Sequence, residues 1–378
     1  MCLLSTVSSD IWPAEDPSGA ASEGGALKRR ARCRSRCMSR CVAALALWMA
    51  LAALPAAAQE ASVDLWYGPR QHFGQQGEPQ RWINVLGNVA DVERLASLTY
   101  RLNDGTPDTL SIGSDLHRLA RPGDFNVELP WDAMQPGEND LVVTARYGDG
   151  RFVAAFATLV VARDNTWPLP YRVDFTVVDT LQAVVQVIDG HWTLTKEGVR
   201  TVTPYYDRVI GMGDRTWMDY EARVRLTIHD FTPSEPGPPT YNVTHMGVAM
   251  RWRGHHPDEH QPNRKWYPMG AQGELLLQAR PDSSRYRILF GSDHPTVMGE
   301  QAFPVERGQQ RWIRTQVRTL EDGSTLYRFK TWPADEAEPS TWHAEGIEPG
   351  HLDYPSGALL LVPHNSDVTI HEVSATPL

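Results

Sequence analysis

The sequence predicts an all-β protein made of two consecutive β-sandwiches. Three observations lead to this prediction. After residue 58, apolar and polar residues alternate in short runs, whereas the 3.6-residue period of an amphipathic helix is nearly absent. Gly, Pro, Asn and Asp stand between the runs, as expected for turns that join strands. The segment Pro168-Leu169-Pro170 cannot lie inside a paired strand, and it separates the chain into two such regions.

The first 58 residues are predicted to be a signal peptide and an upstream region. Residues 42–54 form an apolar run of signal length, with three arginines before it at 34–40 and small residues after it at 55–58. We expect cleavage after Ala58, and Met38 would begin a signal of ordinary length. The mature protein is therefore expected to be exported, to the periplasm or the extracellular space.

Cysteine usage and charge exclude some function classes. All four cysteines lie between residues 2 and 41, so the mature chain can form no disulfide and must be held by its cores. Of the 36 basic and 46 acidic residues, 7 and 4 lie in 1–58, which leaves a net charge of −13. Such an acidic chain is not expected to bind nucleic acid, which needs a positive surface. No other apolar stretch is long enough for a membrane helix, so we expect no membrane insertion.

Residues 61–163 are predicted to form an immunoglobulin-like sandwich. About seven short strands fit into this region, and the turn sequences Asn103-Asp104-Gly105 and Gly148-Asp149-Gly150 supply the positive φ angles of tight hairpins. The predicted strands are 63–68, 81–89, 97–102, 109–112, 125–129, 141–147 and 152–162. We expect this domain to be a spacer or a docking module.

Residues 164–170 are predicted to be a short linker, and residues 171–378 a larger jelly-roll sandwich. Residues 220–228 alternate strictly, with Tyr, Ala, Val, Leu and Ile on one face. More than ten strands and no credible helix over about 200 residues are typical of a jelly roll. Because the linker is short, we expect the two sandwiches to touch.

Several segments of the second region resemble concanavalin A-like (laminin-G-like) domains of bacterial exported proteins. They are Asp-Gly-His-Trp at 189–192, Gly-Val-x-x-Arg-Trp-x-Gly-His at 247–255, Trp-Tyr-Pro-x-Gly-Ala at 266–271 and Arg-Phe-Lys-x-Trp-Pro at 328–333. Residues 61–163 resemble the immunoglobulin-like modules often joined to such domains. The resemblance implies a concanavalin A-like jelly roll, a fold that commonly presents sugar-binding surfaces and in some relatives carries glycosidase or lyase sites.

The predicted function is polysaccharide binding without catalysis, by the polar segment 251–267. Its indole and phenol rings suit the C–H face of a sugar, and its cations suit sugar oxygens. The ligand-binding candidates are Arg251, Trp252, His255, His256, Arg264, Lys265, Trp266 and Tyr267. Tryptophans within strands are expected to be core residues instead, namely Trp82, Trp192, Trp217, Trp312 and Trp332.

Two rival interpretations remain open: an enzyme, either a polysaccharide lyase or a glycosidase, and a structural or adhesive protein. A glycosidase would need paired carboxylates, and the Glu-x-Asp-x-x-Glu strand of retaining glucanases is absent, so no catalytic residue is assigned. A polysaccharide lyase would need Arg251, His255 and Tyr267 to converge in one cleft, and Arg223 and Arg225 already share a strand face. A structural or adhesive protein would instead have Trp252 and Trp266 buried and no open groove.

The histidine-rich segment also raises the question of a metal. His245, His255, His256 and His260 fall within sixteen residues, yet their spacing does not aim them at one point, so a solvated loop is expected. No cofactor is predicted. A structural calcium, assembled from separate loops, is left open.

Overall fold

The computed structural model describes residues 60–231, 243–266, 269–278, 283–292, 296–299 and 302–378. Within these ranges the chain consists of β-strands and turns, with four short 3₁₀ turns as its helical segments. The all-β prediction is therefore confirmed. The predicted signal region 1–58 lies outside the described residues. In the described part of the chain, no helix has the length and apolar character needed to cross a membrane.

Two sheets form the first part of the chain, and one apolar core lies between them. The strands are β1 (Val63–Leu65), β2 (Arg70–Phe73), β3 (Trp82–Val89), β4 (Leu95–Leu102), β5 (Asp108–Thr109), β6 (Asp124–Pro130), β7 (Gly137–Tyr147) and β8 (Phe152–Val161), with 3₁₀ turns at Val92–Arg94 and Trp131–Ala133. One sheet has the order β1-β3-β6 and the other the order β2-β8-β7-β4-β5. Asn103, at φ 48°, lies between the paired strands β4 and β5, and Gly150, at φ 90°, lies between β7 and β8, as the turn sequences predict.

Two larger sheets form the second part. The strands are β9 (Tyr171–Asp174), β10 (Gln186–Asp189), β11 (Trp192–Thr195), β12 (Gly198–Thr201), β13 (Val209–Met212), β14 (Tyr220–Asp230), β15 (Thr244–Trp252), β16 (Ala271–Leu277), β17 (Arg285–Phe290), β18 (Val297–Met298), β19 (Gln310–Thr319), β20 (Thr325–Pro333), β21 (Ala344–Glu348), β22 (Ala358–His364) and β23 (Asp367–Pro377), with 3₁₀ turns at Phe175–Val177 and Leu181–Ala183. The seven-stranded sheet has the order β10-β13-β22-β15-β16-β17-β18. The eight-stranded sheet has the order β11-β12-β23-β14-β19-β20-β21, and β9 adds to it beside β23.

The main core lies between these two large sheets, and strand alternation explains it. On β14, Ala222, Val224 and Leu226 are almost fully buried, whereas Arg223 and Arg225 between them are only partly buried. Because successive side chains of a strand point to opposite faces, the apolar set faces the seven-stranded sheet and the arginines face outward. The predicted sharing of one face by Arg223 and Arg225 is therefore confirmed.

The two parts of the chain contact each other through a buried ionic network. Arg118 lies 2.7 Å from Glu128 on β6 and 2.7 Å from Asp189 on β10, and all three side chains are at most 3% exposed. Asn126 donates to the backbone oxygen of Ile188 at 2.8 Å. The predicted contact between the two sandwiches is thus present, and it is polar at its centre.

Candidate ligand-binding face

The segment that the sequence singles out for sugar binding does not form an outward-facing surface at its start. Arg251 is 1% exposed, Trp252 is fully buried and His255 is 2% exposed. The expectation that these three side chains face solvent is wrong. Each of them has a structural role in the interior.

Arg251 holds the end of β15 in place. It lies at a break in the register between β15 and β22, with φ at 56°, and its guanidinium bonds Asp219 at 2.9 Å and Asp353 at 2.8 Å. The backbone oxygen of Tyr354 accepts a further bond at 3.0 Å. A buried cation that is satisfied in this way supports the bulge and is not available to a ligand.

Trp252 and His255 belong to a small core on the reverse side of the seven-stranded sheet. The indole of Trp252 packs with Met269 and Leu360, and its Nε1 donates to the backbone oxygen of Trp266 at 3.0 Å. His255 lies edge-on to the Trp252 ring, with 5.2 Å between the ring centroids. Trp266 is partly buried against the same core.

The remaining predicted residues are spread over the rim of this loop. His256 and Lys265 are exposed and face each other across an isolated antiparallel bridge. Arg264 is partly buried and lies 3.5 Å from Asp115 of the first part of the chain. Tyr267 lies outside the described residues. His256 and Lys265 are thus the exposed candidates within the described part of the segment.

The burial has a clear physical cause. The backbone nitrogen of Arg81 donates to Arg253 at 2.9 Å, and that of Ser111 donates to Gln261 at 3.0 Å, so the polar loop after β15 packs against the first pair of sheets. Burial also lowers the pKa of His255 well below its usual value, with the Arg118 cation adding to the effect. The polar composition of this loop is typical of a solvated loop, but composition does not indicate that the first pair of sheets covers it.

A different surface brings aromatic rings and cations together, and we name it the tryptophan face; Trp312 and Arg223 are partly exposed there, whereas Trp332 and Lys330 are buried. It is the outer side of the eight-stranded sheet. Outward positions on β14, β19 and β20, together with side chains from neighbouring strands and loops, contribute Glu221, Arg223, Arg225, Trp312, Arg314, Lys330, Trp332, Glu338, Trp342 and Glu372. Trp312 and Trp332 are directly paired across β19 and β20.

The rings and cations of the tryptophan face alternate in space. The guanidinium of Arg223 lies 4.8 Å from the Trp312 ring and 5.7 Å from the Trp332 ring. The ammonium of Lys330 lies 5.8 Å from Trp332 and 4.9 Å from Trp342. Such cation–π contacts hold the side chains in fixed positions, at about 0.5–1 kcal/mol each when exposed. Trp82 and Trp312 are only partly buried, so the prediction that they are core residues is wrong. Trp192, Trp217 and Trp332 are buried, as predicted.

Acidic side chains form ion pairs with these cations. Glu338 lies 2.7 Å from Lys330 and 3.4 Å from Arg223. Glu372 lies 3.0 Å from Arg225 and 3.1 Å from Arg172. Within the described residues, the ion-paired side chains around the rings are Arg172, Arg223, Arg225, Arg314, Arg328 and Lys330 with Glu221, Glu338, Glu345 and Glu372. Asp174 lies near Arg172 and Arg225 as well. Each of these cations is ion-paired within the described residues, and the whole chain has a net charge of −10.

Two neighbouring depressions lie on this face. One of about 160 Å³ is lined by Arg172, Arg223 and Trp312, with Glu372 at its edge. The other, about 440 Å³, begins at Arg225 and is lined by Thr227, His229, Gln310 and His371. Burial lowers the pKa of His229, and Arg200 adds to the effect, so this side of the face holds a neutral imidazole. From Glu221 to His229 the strand rises about 27 Å, enough for an extended chain molecule to lie along it.

A third group of residues could hold a metal. Asp207, His245 and His364 each offer one ligand atom, and these three atoms lie within 4.8 Å of one another. Of the histidines singled out in the sequence, His245 belongs here, whereas His255 lies 3.8 Å from both Glu128 and Asp189. The histidine-rich segment is thus divided between separate environments. Its proximity in sequence does not produce one site.

Comparison with known proteins gives a fold likeness at low similarity. No family model matches the chain, and no curated protein is similar to it. Among solved structures, the apo Crh5 transglycosylase aligns with a TM-score of 0.34 and 11% identity over 57% of this chain and 89% of that chain. The Ca²⁺-bound exoplasmic/lumenal domain of VIP36 aligns at 0.29 and 11%, over 50% and 82%. A bifunctional GH43-CE protein of Bacteroides eggerthii aligns at 0.35 and 9%, over 85% and 55%. At these values the likeness says nothing about what this chain binds.

Proposed function

We propose that this protein is exported and binds an acidic polysaccharide, one that carries uronic acid or similar anionic groups, on the tryptophan face. The observation that carries the proposal is the Arg223–Trp312 pair, because it places a cation and a partly exposed indole side by side in an open depression. The side chain of Arg223 is 39% exposed, and its ion pair with Glu338 is 3.4 Å long. Its Nε is buried, so the outer part of the guanidinium is what a ligand can reach.

The chemistry of the face suits such a ligand. An indole presents a flat apolar surface to the C–H face of a sugar ring, and its N–H end can remain in water. A guanidinium binds a carboxylate with two parallel hydrogen bonds, which adds orientation as well as energy. Glu372 and Gln310 at the edges of the depressions can accept bonds from sugar hydroxyls. The length of the face allows several sugar units of one chain to be in contact at once.

Binding is favoured over catalysis by the positions of the predicted lyase residues. Arg251 is tied to Asp219 and Asp353, whereas His255 lies between Glu128 and Asp189. These two residues belong to separate buried networks, so they cannot serve one substrate. The resemblance of residues 171–378 to concanavalin A-like domains, which commonly present sugar-binding surfaces, agrees with the proposal.

The test is affinity electrophoresis of the chain from residue 59 to 378 in gels that contain polygalacturonate, alginate or a neutral glucan. We expect retardation by the acidic polymers and little by the neutral one, with retardation reduced by added salt because exposed charges are screened. Arg223→Gln should weaken binding about 10- to 100-fold, since a hydrogen bond to a charged group contributes about 1.5–3 kcal/mol. Trp312→Ala should weaken it about tenfold.

Arg146→Gln is the matched control, because Arg146 is an exposed arginine on β7 of the first part of the chain. It changes the net charge as Arg223→Gln does and should leave binding unaltered. Far-ultraviolet circular dichroism and urea unfolding of each variant separate loss of binding from loss of the fold. Equal retardation of the wild type and Arg223→Gln, in the presence of a folded variant, would remove the assignment to this face.

A further inference from the structure

Two histidines face each other on the seven-stranded sheet. The tryptophan face belongs to the eight-stranded sheet, so the two sites lie on different sheets. His245 on β15 and His364 at the end of β22 are direct partners in the antiparallel ladder. Their imidazole rings stack, with 4.8 Å between centroids and 17° between planes. Cross-strand partners have Cβ atoms about 4.5–5.5 Å apart, so the backbone itself sets the two rings side by side.

A third donor comes from the turn before β13. The carboxylate of Asp207 lies 2.8 Å from Nδ1 of His364. The turn is fixed on both sides of this contact, because the backbone nitrogen of Arg208 donates to Pro363 at 2.9 Å and that of Asn365 donates to Tyr205 at 2.9 Å. The position of the carboxylate is therefore set by backbone bonds and not by a flexible loop.

The two imidazoles are buried and incompletely bonded. His245 is 6% exposed and His364 is 4% exposed. Within the described residues, Nδ1 of His245 and Nε2 of His364 have no hydrogen-bond partner. Buried polar atoms are rarely left in this state, and an ion or an ordered water is a usual explanation. One such atom on each of two neighbouring rings is the observation that points to a ligand here.

We propose that Asp207, His245 and His364 bind one divalent transition-metal ion of the zinc class. Two imidazole nitrogens and one carboxylate oxygen are a common donor set for zinc, whereas calcium prefers oxygen donors throughout. Donors bound at 2.0–2.1 Å in a tetrahedron lie about 3.4 Å apart. The present separation of up to 4.8 Å must therefore shorten, and the stacked imidazoles must turn out of their parallel arrangement to aim both nitrogen lone pairs at one ion. The fourth position is open to water or to a ligand.

The neighbouring charges are consistent with this assignment. Arg287 carries a positive charge that would repel a bound metal ion. Its guanidinium is bonded to Glu274 on β16, whose side chain is fully buried. The pair Arg287–Glu274 therefore presents little net charge to the metal. The site stands apart from the proposed polysaccharide face and does not depend on it.

The experiment is a zinc titration of the chain 59–378 after removal of metals with a chelator, by isothermal titration calorimetry and by elemental analysis after dialysis. We expect one equivalent of zinc, a rise in the thermal unfolding midpoint with Zn²⁺ and no rise with Ca²⁺. His245→Gln and His364→Gln should each weaken binding at least 100-fold, and Asp207→Asn at least tenfold. His351→Gln, which removes an exposed histidine, should leave binding unchanged.

Unfolding curves of the metal-free variants show whether each substitution preserves the fold, and the wild-type titration decides the matter even if one variant does not fold. Failure of the folded wild type to bind zinc stoichiometrically overturns the proposal. So does binding that His245→Gln and His364→Gln leave at the wild-type level, because the zinc would then lie elsewhere.

Discussion

Replacing Arg118 by Met should destabilise the protein more than any exposed charge substitution. Arg118 is buried between Glu128 and Asp189, at 2.7 Å from each, where the two parts of the chain meet. Methionine keeps most of the apolar stem and removes the charge. Two carboxylates that are each 1% exposed or less then remain in the interior without their cation.

The expected loss is about 3–5 kcal/mol in the free energy of unfolding, which is the usual cost of breaking one side of a buried ion pair. This is a large part of the 5–15 kcal/mol that stabilises a typical domain. The loss should also depend on pH. Burial raises the pKa of Asp189 to about 7, against the lowering effects of Arg118 and Arg208. Without Arg118 the pKa of Asp189 should rise further.

The raised pKa of Asp189 determines how the free energy of unfolding changes with pH. An aspartate whose pKa is higher in the folded state binds protons more readily when folded, so it costs stability as the pH rises through that pKa. The difference in free energy of unfolding between the wild type and Arg118→Met should therefore be smallest near pH 5 and should increase above pH 7. The widening can reach about 1.4 kcal/mol per pH unit for one proton.

Urea unfolding at pH 5, 6, 7 and 8, followed by circular dichroism, measures both quantities. The triple variant Arg118→Met, Glu128→Gln, Asp189→Asn serves as the control, because it removes the stranded charges and should recover part of the loss. A loss below about 1 kcal/mol at pH 7 for Arg118→Met would refute the reasoning, because this is the range of exposed ion pairs. A difference in free energy of unfolding that decreases as the pH rises would also refute it.

Three further outcomes are expected. Arg251→Met should lower the free energy of unfolding by about 3–5 kcal/mol, whereas Arg318→Met on β19, an exposed arginine, should change it by less than about 0.5 kcal/mol. Gly213→Ala should destabilise by more than about 1 kcal/mol in the same assay, because φ is 92° and a Cβ would lie 2.6 Å from the Trp217 ring. His255→Gln should reduce the loss of stability on acidification below about pH 6.5. Burial lowers the folded-state pKa of His255, so its contribution to stability is present above the unfolded-state pKa and is lost as the pH falls. An unchanged dependence of the free energy of unfolding on pH in the variant would contradict this.

Much of the fold could be predicted because its signals are local. The strict alternation of 220–228 is sufficient to place one face of β14 in the core and Arg223 and Arg225 outside. The turn residues around Asn103 and Gly150 specify hairpins through their own φ angles. Shorter strands such as β2 and β21 were not predicted, because four or five residues carry too little pattern.

The surfaces could not be predicted in the same way, because exposure depends on what packs against a segment. Trp252 and His255 stand beside polar residues in sequence, yet the first pair of sheets covers their loop. Trp312 lies in a strand, yet it faces outward on an open sheet. Strand pairing brings His245 and His364 together, and the turn before β13 adds Asp207, which is 157 residues from His364, so no local pattern in the sequence indicates this cluster.

Hydrogen–deuterium exchange with and without saturating acidic polysaccharide tests the central claim most directly, because it reports where the ligand lies. Binding on the tryptophan face should slow exchange in residues 221–229 and 310–316, the strands that carry Arg223, Arg225 and Trp312. Exchange in β3 and β6 of the first part of the chain should not change. Slower exchange confined to residues 253–266, or to the first pair of sheets, would contradict that claim.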